Sequence, residues 1–149
     1  MELVVPCLLQ ELIANGIWPA DARTAMAQNL RPLVPPDNVH RFAQAENEIH
    51  LNPPPFQTVA DYMREPSPPV LEFWHEYGAL HQIVPNWALV IGDFGLGSDA
   101  PIILDYGRSA SDPPVFRLRY NPDGSTEWVA GARNFSEFAY QIGLTGSAG

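Results

Sequence analysis

The sequence predicts one α+β domain over residues 1–149: a mixed or antiparallel sheet of about four to six strands flanked by helices, with helices in the N-terminal part and one closing C-terminal helix. Three observations predict it. Between Trp87 and Leu144, strand, turn and helix signals follow one another without conflict, so residues 87–144 form the organising core. Residues 1–86 carry helical patterns broken by proline and read as material packed on that core. The chain has 149 residues, 46% of them hydrophobic, which is one domain's worth of core.

In chain order, Leu8 to Ala14 is apolar with Gln10 and Glu11 interspersed, and Asn15-Gly16 ends it as a helix C-terminus would. Pro19 and Asp21 open a second helix running to about Asn29, with Ala22, Ala25, Met26 and Leu30 as its apolar face. Nine of the 16 prolines fall between Pro32 and Pro69. Pro35-Pro36 and Pro53-Pro54-Pro55 break the pattern, with a short strand expected over Glu48–Leu51. The triple proline is extended and reads as a rigid connector, since no flanked PxxP accompanies it. Thr58 caps a short helix to Arg64, with Val59, Tyr62 and Met63 inward. Pro69 suits the first position of a helix in which Leu71, Trp74 and Tyr77 recur at three-residue steps, with Phe73 beside them and Gly78 as the cap.

Ala88–Ile91 reads as a buried strand closed by Gly92, and Ile102–Tyr106 as a second, entered through Pro101. The intervening GDFGLGSDA has three glycines (Gly92, Gly95, Gly97) in six residues, which demands positive φ somewhere in a tight loop. Val115–Tyr120 alternates, placing Phe116, Leu118 and Tyr120 on one face and Val115, Arg117 and Arg119 on the other. Asn121-Pro-Asp-Gly124 is a turn, and Thr126–Val129 returns as hairpin partner. Asn134 with Glu137 three residues on forms a capping-box pattern. Phe135, Phe138, Ala139 and Ile142 then give one buried face, stopped by Gly143, and GSAG reads as a frayed tail.

No apolar run approaches the roughly 18 residues of a membrane span, and Met1–Leu12 has no basic n-region, so no signal peptide is expected. The lone Cys7 excludes an internal disulfide, and a cytoplasmic setting is expected. Seventeen acids against eight arginines and no lysine give net −9. Such a surface repels nucleic acid and suits a basic protein partner, although acidity also serves solubility alone.

Motifs that evoke catalysis fail on context. Asp93-Phe94-Gly95 spells a kinase tripeptide, but there is no lysine for ATP phosphates and no HRD loop. The glycine spacing is not the dinucleotide fingerprint. His81 lies six residues after His75, not the four a zinc helix needs, and His40 and His50 stand isolated. Neither Cys7 nor Ser98, Ser109, Ser111 or Ser136 has a base in sequence context. Asp93, Asp99 and Asp105 recur around the glycine loop and could bind a hard cation, with Asp99 equally suited to an Asx turn.

The apolar strand Ala88–Ile91, the glycine-rich loop to Asp99, the strand Ile102–Tyr106, Pro114-Val115, Trp128 and the helix start Asn134-Phe-Ser-Glu-Phe138 together resemble the SUKH superfamily, named partly for yeast Smi- and Knr-type cell-wall regulators. Asn134 stands where serine is commoner, and the proline-rich middle departs from the usual N-terminal layout. The resemblance implies an α+β fold and a non-enzymatic role without cofactor or catalytic residues. Bacterial members are similar to immunity proteins that neutralise polymorphic toxins, often nucleases; other relatives act as scaffolds or regulators. Three readings follow. In the first, an acidic immunity protein meets a basic toxin domain, with Asp93, Asp99, Asp112, Asp123 and Glu127 as candidate contacts. The others are a regulator or scaffold with a host partner, and a small enzyme or metal protein built on Asp93, Asp99 and Asp105.

Overall fold

The computed structural model describes residues 3–96 and 98–146. Gly97 of the expected loop and residues 147–149 of the expected tail lie outside them. Six strands, β1 (His50–Leu51), β2 (Gln57–Thr58), β3 (Ala88–Asp93), β4 (Pro101–Asp105), β5 (Val115–Tyr120) and β6 (Thr126–Ala132), form one antiparallel sheet. Its order is β1-β3-β4-β5-β6, with β2 also pairing β3 on the β1 side. Around it lie α1 (Cys7–Ala14), α2 (Ala22–Met26), α3 (Pro36–Phe42), α4 (Val59–Met63), α5 (Pro68–Gly78) and α6 (Phe135–Gln141). A single hydrophobic cluster runs from Leu9 and Trp18 in the N-terminal part to Phe138 and Ile142, so residues 1–86 supply core as well as cover.

The register sorts the sheet into two faces. Val90 opposes Ile103, Ile103 opposes Phe116, and Leu118 opposes Trp128 on one face. Helix α5 covers that face: the Trp128 indole N–H donates to the Tyr77 carbonyl at 2.9 Å, and the Tyr77 and Tyr120 rings meet edge to face. On the other face lie Leu104, Val115 and Ala132; α6 packs against β6 there, and α1 and α3 pack on α6. Phe42 of α3 meets Phe138 of α6 at 4.8 Å between ring centres and presses a ring edge against Gly131, where any Cβ would strike it.

Local chemistry explains most boundaries. Thr58 and Asp61 complete a reciprocal capping box on α4. Asn134 accepts from the Glu137 amide, but the Glu137 carboxylate turns to the Arg133 amide and guanidinium rather than closing the box on Asn134. Gly124 (φ +88°) and Gly143 (φ +85°) hold the turn and the helix stop in the left-handed region.

Four expectations give way. Pro35-Pro36 does not simply break the chain: Pro36 is the first residue of α3, where a missing N–H costs nothing, and it delivers Val39 and Phe42 to the core. The second helix inverts its expected face. Met26 and Leu30 are exposed, the latter at 94%, while Gln28 is buried. Gln28 donates to the Leu51 carbonyl and accepts from the Leu51 amide, both at 2.9 Å, taking the place of a further strand beside β1. Gly78 ends α5 but Ala79 is the cap; the glycine admits Met63, whose sulfur would lie 2.7 Å from a Cβ. Gly92 does not close β3 either. It sits inside the strand at a bulge, pressed by the His50 carbonyl, which would lie 2.5 Å from a Cβ.

Candidate functional site

The strand opposite β3 is split. Residues His50 and Leu51 pair with Asp93 and Gly92, and Gln57 and Thr58 pair with Val90 and Leu89. Between them Pro53-Pro54-Pro55-Phe56 leaves the sheet, so the triple proline is a detour within an edge strand. Proline has no N–H for a ladder, which suits it to this position. A cavity of about 620 Å³ opens beside the detour. Val90, Gly92 and Pro101 of the sheet form its floor. Tyr62 of α4 and Phe73 and Trp74 of α5 form one wall, and Pro53, Pro55 and Phe56 the other. Asp93 and Asp99 stand in the same lining.

The aromatic wall is ordered. Tyr62 and Trp74 stack at 4.8 Å with 17° between planes, and Phe73 meets Trp74 edge to face at 5.3 Å. Each ring comes from a short helix whose inward face the sequence marks, and α4 and α5 pack on each other to bring them together.

Asp93 is the unusual group. Its Oδ1 accepts from the Gly95 amide at 2.7 Å, an Asx turn that starts the loop. The expected Asx turn at Asp99 is thus made by Asp93 instead. Asp99 takes the left-handed conformation, φ +55°, while the Ser98 hydroxyl accepts from the Ala100 amide and donates to Glu46. Burial pushes the Asp93 carboxyl above its ordinary range. The Gly95 hydrogen bond and His50 oppose that push, and the carboxylates of Asp99 and Glu48 add to it. Burial likewise raises the Tyr62 phenol, with the Asp93 and Asp61 charges adding to it. Among the described residues no ion pair reaches Asp93 or Asp99; the pairs join Arg64 to Asp61, Arg108 to Asp105, Arg119 to Glu127 and Arg133 to Glu137.

The five expected contact residues divide. Asp93 and Asp99 share the cavity. Asp112 accepts from the Asn134 side chain near the start of α6. Asp123 is tied to the Ser125 amide and hydroxyl within the hairpin turn, and Glu127 is paired across the hairpin with Arg119. Asp105 does not join Asp93 and Asp99. It opposes Ala88 at the far end of the ladder that Asp93 and Pro101 end, and it is buried beneath the Arg108 guanidinium at 2.9 Å. The three-carboxylate arrangement therefore does not form, and no group of three histidine, cysteine or acidic side chains is placed to hold a metal among the described residues.

Sequence reading missed Tyr62, Phe73 and Trp74 as site residues, because their spacing marks them only as inward-facing. The usable signal was the proline triplet after the short strand pattern of Glu48–Leu51, which opens an edge beside them. Comparison of the chain with protein families, with curated proteins and with solved structures finds no match.

Proposed function

We propose that this chain is a non-enzymatic binding domain that docks a basic protein on the face around the Asp93 cavity. Following the SUKH resemblance, the partner is a bacterial toxin domain, such as a nuclease, which the chain neutralises in the cytoplasm. The observation that carries the binding reading is Asp93: a half-buried carboxylate in an aromatic cavity, with no ion pair to it among the described residues. Keeping a carboxylate partly out of water is unfavourable unless a positive group arrives to pair with it. Aromatic residues around such a point supply the contact area typical of protein interfaces. The net charge of −9 adds long-range attraction for a basic surface.

The test is capture from the native organism at low salt, with the unmodified protein and the Asp93→Asn/Asp99→Asn double variant side by side. Retention of one basic toxin-like protein by the first and its loss from the second is the expected result. Equal retention by both would overturn the role of this face. A housekeeping protein in place of a toxin would keep the binding role and replace immunity by regulation.

A further inference from the structure

Taking this face as the partner-binding face, we propose that the cavity receives a single arginine side chain of the partner, its guanidinium stacked on the aromatic wall and paired with the Asp93 carboxylate. The two halves of the cavity ask for different properties in one group. Tyr62, Trp74, Phe73 and Phe56 contribute rings to the lining, and stacking on the buried Trp74 fixes the plane of the half-buried Tyr62 ring. Asp93 offers a carboxylate oxygen: Oδ1 is held by Gly95, while Oδ2 takes no hydrogen bond from the described residues. Asp99 lines the same opening and reinforces the negative potential. A planar, weakly hydrated cation satisfies both halves, since guanidinium stacks on rings and bonds carboxylate through its edge. An ammonium group is more strongly hydrated and has no flat face, so lysine fits less well.

The chain does not fill the cavity itself. None of its eight arginines is among the lining residues, and it has no lysine. His50 opposes Asp93 in register, but its buried Nε2 has no hydrogen-bond partner, so it does not pair directly with the carboxylate through that atom. The other ionisable groups whose charges act on Asp93 are Asp99 and Glu48, both acidic. Burial that pushes the Asp93 carboxyl up is the condition an arriving guanidinium would reverse.

The experiment is an NMR titration of ¹⁵N-labelled protein with the capped tripeptide Gly-Arg-Gly, its lysine counterpart and its neutral citrulline counterpart. The arginine peptide is expected to shift the Gly92 and Asp93 amides and the Trp74 indole saturably, with Kd on the order of millimolar for so small a ligand. Citrulline is expected to give no saturable shift, and lysine to bind about tenfold more weakly. Asp93→Asn, which retains the oxygen that accepts from Gly95, is expected to weaken arginine binding about ten- to a hundredfold. Absence of these shifts, equal binding of lysine, or indifference to Asp93→Asn would each overturn the assignment. The two readings fail separately. Arginine-peptide binding without any captured toxin keeps the cavity assignment and removes the immunity reading; capture that depends on Asp93 and Asp99 without a response to the peptide does the reverse.

Discussion

The two faces of the sheet use aromatic residues in opposite ways. On the α1, α3 and α6 side, Trp18, Phe42, Phe135 and Phe138 interlock and are buried, Trp18 and Phe138 completely. On the α4 and α5 side, Tyr62, Phe73 and Trp74 contact one another just as closely; Trp74 is as buried as Phe42, while Tyr62 and Phe73 are half-buried in the lining of an open cavity that includes a carboxylate. What separates them is the edge strand. Two short pieces of it pair with β3, and where four residues detour between them a gap is left beside α4 and α5. A glycine on each side permits close approach, Gly131 to the Phe42 ring and Gly92 to the His50 carbonyl. The first serves packing, and the second seats the edge strand next to the cavity.

The sharpest way to break the comparison is to truncate one ring from each face. Phe138→Ala empties a fully buried position and is expected to cost about 3–5 kcal/mol of stability. Phe73→Ala removes a half-buried ring and is expected to cost about 1–2 kcal/mol, on the scale of partial apolar burial, while weakening partner or arginine binding. Urea denaturation of both variants with the peptide titration repeated separates these outcomes; comparable stability losses would mean the second face is ordinary core.

Adding a methyl group to each glycine is the next test. Gly131→Ala and Gly92→Ala are each expected to cost about 1–3 kcal/mol, because a ring or a carbonyl must move. Only Gly92→Ala should also change the Asp93 and Trp74 resonances. A Gly92→Ala variant with wild-type cavity resonances would separate the edge strand from the site.

The smallest effect has the opposite sign. Asp93 carries a carboxyl whose pKa is higher folded than unfolded, so its contribution to stability is complete below the unfolded value and is lost as pH rises through the folded one. At neutral pH the ionised group therefore opposes folding. Asp93→Asn should raise the thermal midpoint at pH 7, and the advantage should shrink as pH falls into the carboxylate range. A lower midpoint at pH 7 would show that the charge is already satisfied within the chain.

Much of the fold was legible because its signals are local. The alternation of Val115–Tyr120, the Asn121–Gly124 turn and the Asn134 cap each act within a few residues, and each is found in place. What was not legible depends on neighbours distant in sequence. Burial of Gln28 follows from the unpaired backbone of Leu51, and exposure of Leu30 goes with it. The requirement for glycine at position 92 comes from a carbonyl more than forty positions earlier in the chain. Of the candidate site, the acids were visible individually; that Asp93 and Asp99 share one cavity while Asp105 lies buried at the other end of the ladder depends on strand register.

The glutamine at β1 has a counterpart. At the opposite margin of the sheet, the Gln82 side-chain oxygen accepts from the Trp128 amide of β6 at 3.3 Å. Each outermost strand thus offers part of its free backbone to a side chain of its own molecule instead of to a second copy. Unoccupied strand margins are where folded chains begin to join into fibrils. Side-chain occupation of these two amides leaves less free strand margin for a second copy to pair with.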